Sequence, residues 1–215
     1  MNLALFDFDG TITATDSFVP FIRRAVSPTR QMLGWVVLLP IIVAYKAGVI
    51  SASRTRATIV SFGLRGRRED EVRDIGVTYA IEVLPKTIRP KAMDRIEWHK
   101  SQGDDIVVVS ATPNVYLEEW CRRTNLAVIC TQLESCGGIL TGRYVGGDCT
   151  GLEKTSRLLK KYDLKSYKTI YAYGDTSEDD DLLSLADKKI YRWQEISGRI
   201  PHGRKTDHVY EDPNR

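Results

Sequence analysis

Two carboxylates one residue apart, Asp7 and Asp9, close the apolar run Leu3-Ala4-Leu5-Phe6 and lead into Gly10-Thr11. A second apolar run ends in Ser110-Ala111-Thr112, a lysine at 154 opens a helical pattern, and a third run ends in Gly174-Asp175-Thr176-Ser177-Glu178-Asp179. Carboxylates, a hydroxyl and an ammonium brought together suit attack on a phosphate ester. Because a phosphate dianion repels a carboxylate nucleophile, such a site needs a divalent cation and fixed donors around the oxygens before attack becomes feasible.

These residues must be positioned by the elements that precede them. Short β-rich runs over 3–7, 105–110, 127–131, 168–173 and 189–192 alternate with helical patterns over 88–102, 114–124, 151–162 and 177–186, which predicts an α/β fold with a doubly wound parallel sheet. In such a sheet, ligands bind beyond the carboxyl ends of the strands, where all four polar clusters fall. Residues 17–84 carry no convincing strand and read as three or four consecutive helices, inserted as a cap into a core made of 1–16 and 85–215. Gly137-Gly138 predicts a small hairpin between 132–136 and 139–144, and the polar tail after Pro201 is expected to be mobile.

The four clusters, in this order, resemble the motifs of the haloacid dehalogenase superfamily: DxDGT, a Ser or Thr after a strand, a Lys, and GDxxxD. The Rossmann-like core, with a helical insert directly after the first motif, is similar to subfamily IB, the phosphoserine-phosphatase-like group. The resemblance runs from residue 1 to about 192 and implies a Mg2+-dependent phosphatase. Asp7 would be nucleophile and metal ligand, Asp175 a second ligand, the Asp9 backbone carbonyl a third, and Asp179 a further ligand or a support. Asp9 would protonate the leaving oxygen and later activate water. Ser110, Lys154 and the backbone amides near Ala111 and Gly10 would hold the phosphoryl oxygens. Of Asp180 and Asp181, at least one is a bystander. Asp16 stands where phosphoserine phosphatases hold a substrate-binding acid, and Arg54 or Arg56 near their substrate-binding arginine.

The insert is strongly biased in charge. No acidic residue occurs between 17 and 68, against nine basic ones: Arg23, Arg24, Arg30, Lys46, Arg54, Arg56, Arg65, Arg67 and Arg68. Within it, 32–45 is uncharged; a bilayer span needs about 20 residues, so the run reads as too short to cross, and Pro40 is expected to kink it. Peripheral contact with an anionic membrane is one reading, each cation contributing on the order of 1 kcal/mol. The cap then resembles that of bacterial phosphatidylglycerophosphate phosphatases, which implies a lipid phosphate as substrate. The other reading makes the run the buried helix of a four-helix cap, with the cations steering a soluble metabolite such as phosphoserine. A non-catalytic membrane-binding module is disfavoured, since docking requires none of Asp7, Asp9, Lys154 or Asp175.

Composition limits the remaining classes. With 42% hydrophobic and 27% charged residues the chain reads as a folded protein rather than a disordered one. A net charge of +3, with no zinc-finger spacing, gives no reason to expect nucleic acid. Cys121, Cys130, Cys136 and Cys149 lack metal-ligand spacing and read as reduced thiols; with no secretory signal before Leu3, cytoplasmic residence is expected.

Overall fold

The computed structural model describes residues 1–198. Its sheet has seven strands, β1 (Leu3–Phe6), β2 (Asp105–Pro113), β3 (Ala127–Cys136), β4 (Ile139–Val145), β5 (Ile170–Gly174), β6 (Lys188–Tyr191) and β7 (Gln194–Ile196), in the order β4-β3-β2-β1-β5-β6-β7. The five strands β1, β2, β3, β5 and β6 pair in parallel, whereas β4 and β7 are antiparallel edges. Central β1 is fully buried because side chains alternate between two apolar layers. Ala4 and Phe6 join one layer, with Ile96 of α5 (Pro90–Ser101) and Leu117 of α6 (Asn114–Thr124). Leu3 and Leu5 join the other, with Leu158 of α7 (Leu152–Leu159) and Leu182 of α8 (Asp180–Ser184).

Between β1 and α5 lie four α-helices with no strand among them, α1 (Phe18–Ala25), α2 (Pro28–Lys46), α3 (Ala52–Leu64) and α4 (Glu69–Glu82). The two passages into and out of this insert are clipped together by a Thr13–Ile88 bridge, by Ala14 N donating to Thr87 O at 2.7 Å and by Arg89 N donating to Ile12 O at 2.9 Å. Phe21, Tyr79 and Tyr116 pack edge-to-face or tilted in one group, so the apolar layer above the sheet continues from α6 into α1 and α4. Gly76 allows this close approach, since a Cβ there would lie 2.2 Å from the Val115 carbonyl oxygen.

Several elements depart from the expected boundaries. The hairpin's first arm is not separate: β3 runs unbroken to Cys136, parallel to β2 at its start and antiparallel to β4 at its end. The helix expected over 177–186 divides into a single 3-10 turn, Ser177–Asp179, and α8, because Thr176 and Asp179 form a capping box at the turn. β7 was not anticipated; Arg192 and Trp193 make its turn at positive φ, without the Asn-Gly or Asp-Gly signal that such turns usually carry. The uncharged run recruits its flanks into a 19-residue helix that continues through Pro40, so by length and composition α2 is long enough to cross a bilayer. It is also not the buried helix of the insert: Gly34 is its only fully buried residue. The tail after Pro201 lies outside the described residues.

Candidate active site

The parallel register sets Phe6 opposite Val108 and Tyr173, so Asp7 and Asp175 leave the carboxyl ends of β1 and β5 side by side, near Ser110 of β2, a strand that runs past its expected end at 110 to Pro113. The chain then turns sharply at Gly10, whose φ is +87° and whose missing Cβ leaves room for Asp175; a Cβ would lie 2.3 Å from Asp175 Oδ2. Asp7, Lys154 and Asp179 are each buried. Lys154 Nζ donates to Asp7 Oδ1 at 2.5 Å and to Asp179 Oδ1 at 2.6 Å, placing the ammonium between two carboxylates. Burial disfavours the Lys154 charge, but Asp179 and Asp7 outweigh that and hold its pKa above the ordinary value.

One oxygen from each of Asp7, Asp175 and Asp179 lies within 4.8 Å of the others. Desolvation, and then the charge of Asp179, push Asp7 well above the carboxylate range and Asp175 up to about 7. Three crowded carboxylates sharing one ammonium form a donor set of hard oxygens that suits a divalent cation. Asp179 is the least free of them. Its Oδ1 faces Lys154, and its Oδ2 accepts from the amides of Asp175 and Thr176 at 3.1 Å and from Thr176 Oγ1 at 3.2 Å. With its lone pairs so occupied, Asp179 orients Lys154 and the loop, while Asp7 and Asp175 retain oxygens for a cation. Thr11 Oγ1 fixes the other Asp175 oxygen at 3.1 Å.

Asp9 lies beside this cluster in a different setting. Ser17 N donates to its Oδ1 and Thr112 Oγ1 to its Oδ2, both at 2.8 Å. Desolvation, and then the charge of Asp16, raise its pKa to about 6 against the opposing pull of those two donors. Ser110 Oγ is buried and bonded to Thr112 Oγ1 at 3.0 Å, so hydroxyl, hydroxyl and carboxylate form a chain. Ala111 is half-buried next to them, and the Gly10 amide donates to Thr13 Oγ1 at 3.2 Å.

The residues expected to meet the rest of a substrate are dispersed. Asp16 is exposed and caps α1 by accepting from Val19 N at 2.9 Å. Arg54 is exposed on α3. Arg56, two residues further along α3, reaches across to the core, donating through Nε to Asp148 and through Nη2 to Glu178, each at 3.0 Å. Thr112, Thr11, Asp148 and Glu178 were not singled out by sequence reasoning. The Ser110-x-Thr112 spacing at a strand end was a usable signal for the first; the Arg56 partners lie about 90 and 120 residues away along the chain and left none.

A doubly wound sheet whose central strand delivers paired aspartates, opposite a buried lysine and a second acidic loop, defines a haloacid dehalogenase-type hydrolase. The chain belongs to that family: the model of the haloacid dehalogenase-like hydrolases matches residues 4–184. It is 30% identical over 194 residues to Protein CicA of Caulobacter vibrioides (strain NA1000 / CB15N), covering 88% of this chain and 85% of the relative. It is 24% identical over 216 residues to the histidinol-phosphatase of Neisseria meningitidis serogroup C (strain 8013), covering 88% and 89%. Among solved structures, a phospho-aspartyl intermediate analogue of phosphoserine phosphatase superposes with a TM-score of 0.64 at 20% identity, covering 88% of this chain and 85% of that one, a likeness of fold. Within the family the chain is a hydrolase of haloacid dehalogenase type, and its fold is similar to that of phosphoserine phosphatase.

Proposed function

We propose that the protein is a Mg2+-dependent phosphomonoesterase that works through a phosphorylated Asp7. The observation that carries this reading is the buried Asp7–Lys154–Asp179 ion triad beside Asp175 at a single sheet edge. Asp7, Asp175 and the Asp9 backbone carbonyl are the groups that would hold Mg2+, which when bound neutralises phosphoryl charge. Lys154 fixes the Asp7 carboxylate and lends positive charge to the phosphate, while Ser110 presents a hydroxyl to it. Asp7 attacks phosphorus, forming an O–P bond as the ester P–O bond breaks, and Asp9 hands a proton to the departing alkoxide. Asp9 then takes a proton from water as the water oxygen attacks phosphorus, the Asp7–phosphorus bond breaks and inorganic phosphate leaves. Asp7→Asn should retain the wild-type melting temperature and lower Mg2+-dependent hydrolysis of para-nitrophenyl phosphate by several orders of magnitude. Near-normal turnover in that variant would overturn the nucleophile assignment.

For the substrate, the uncovered apolar helix α2 supports a lipid phosphate such as phosphatidylglycerophosphate, hydrolysed by a cytoplasmic protein at the inner face of the membrane. The likeness to proteins described as histidinol-phosphatase and phosphoserine phosphatase supports a small soluble metabolite instead. Comparing kcat/KM across phosphoserine, histidinol phosphate and phosphatidylglycerophosphate decides between them.

A further inference from the structure

A helix that lies on a protein surface ordinarily turns a polar face outward, and one that is apolar all round is ordinarily enclosed. α2 does neither. Its inward side is apolar, with Leu38, Ile41 and Ile42 half-buried and Gly34 packed toward Phe62 of α3. Its outward side is apolar too: Met32 is 76% exposed, Val36 73% and Trp35 63%, with Leu33, Val37, Leu39 and Val43 also exposed. An uncovered apolar surface on this scale marks an interaction site.

The surrounding charges indicate what covers it. Of the nine cations in the insert, Arg56, Arg67 and Arg68 are paired with carboxylates. Arg23, Arg24, Lys46, Arg54 and Arg65 are exposed and form no ion pair among the described residues. Arg23 and Arg24 close α1 beside the start of α2, with Arg23 5.9 Å from the Trp35 ring centroid, and Lys46 is the last residue of α2. The apolar face is therefore flanked by cations at both ends, and the segment from 17 to 68 contains no acid to oppose them. Two copies joined face to face through α2 would bring these cations together, whereas anionic headgroups above an apolar interior complement both features.

The attachments of α2 fix its orientation. Arg30 Nη1 donates to the carbonyls of Gly63 and Arg65 at the end of α3, and Gln31 Nε2 to those of Arg23 and Val26. α3 is in turn held to the core by Arg56, so driving α2 across a bilayer would carry Arg54 and Arg56 toward hydrocarbon or tear α2 from its partner. We propose that the outward face of α2 docks in the surface layer of an anionic lipid bilayer, lying in its plane with Arg23, Arg24 and Lys46 at headgroup level. This inference rests on the cap alone and holds whatever ester the site hydrolyses.

The test is flotation of the full chain with phosphatidylcholine vesicles, with and without about 30% phosphatidylglycerol. Wild type and the inactive Asp7→Asn variant should both float with the anionic vesicles only, less so as salt rises. The variant Val36→Ser/Leu39→Ser/Val43→Ser changes only exposed positions. It should keep its melting temperature and its hydrolysis of para-nitrophenyl phosphate while binding at least about tenfold less. The proposal is overturned if wild type stays unbound with anionic vesicles, or if the triple variant binds as well as wild type. It is equally overturned if the wild type is a dimer that ignores vesicles and that the triple variant disperses, which would give the face to a second copy.

Discussion

Asp9 carries a carboxyl group drawn in two directions. Burial and Asp16 favour its protonated form, while the Ser17 amide and the Thr112 hydroxyl favour the ionised one, and the balance falls at about 6. A group that first donates a proton and then accepts one, as proposed for Asp9, works best with a pKa near the working pH. Thr112→Val removes the donor to Asp9 Oδ2 at almost constant volume and should raise the Asp9 pKa. Because free enzyme needs Asp9 protonated to assist the leaving group, the basic limb of the kcat/KM profile should move to higher pH, with kcat falling by up to about tenfold as the later ionised role is impaired. An unmoved limb would mean that Thr112 acts only as scaffold, or that Asp9 is not the acid. At this scale Asp7 and Asp175 were legible because each follows a strand, Lys154 because it lies in the first turn of a helix, and Ser110 because it lies near the carboxyl end of β2. Thr112 and Thr11 were not, since a hydroxyl gains a role here only from the carboxylate opposite it.

Among the elements, legibility followed local punctuation. α6 occupies the expected 114–124 because Pro113 precedes it and Asn125, at positive φ, ends it. β7 and the long β3 depend on edge pairing, which no local pattern reports, and the exposure of α2 depends on what the remaining helices leave uncovered. The seat of Arg56 is tertiary in the same sense. Its side chain spans from α3 to Asp148, itself nearly buried and also bonded to Thr131 Oγ1 at 2.9 Å, and to Glu178 next to Asp179. The cap is thereby fastened to the loop that orients Lys154. Arg56→Ala strands the Asp148 carboxylate and should cost about 1–3 kcal/mol, which for a chain of this size lowers Tm by several degrees. Amide exchange in α3 should quicken at the same time. Asp148→Asn should recover part of the loss in the double variant, since it removes the stranded charge. A variant with unchanged Tm and exchange but a much higher KM would instead return Arg56 to the substrate-binding role implied by family resemblance.

For the whole molecule, the site couples folding to protons and, under the proposed function, to metal as well. Asp175 has its pKa raised to about 7, first by desolvation and then by Asp179, and Asp7 is displaced in the same direction. Between the ordinary carboxylate value and about 7, the metal-free folded chain keeps a proton on Asp175 that the unfolded chain has released. The associated stability is present at low pH and lost as pH rises through about 7. Mg2+ held by Asp175 requires its ionised carboxylate, so above that pH binding would displace no proton from Asp175 and would relieve the repulsion among Asp7, Asp175 and Asp179. Below it, binding competes with the proton, and the apparent Kd should rise about tenfold per pH unit for one proton displaced. At a Mg2+ concentration about ten times its Kd at pH 8, the stabilisation is about 1.4 kcal/mol, a shift of a few degrees in Tm relative to protein in EDTA. At pH 6 and the same Mg2+ concentration, most of that increment should disappear. Asp175→Asn should have little increment at either pH, while its EDTA melting curve should lose the part of the decline with rising pH that comes from Asp175. A Mg2+ increment equal at pH 6 and pH 8 in the wild type would show that the cation does not bind through Asp175, and the metal assignment at this sheet edge would have to be withdrawn.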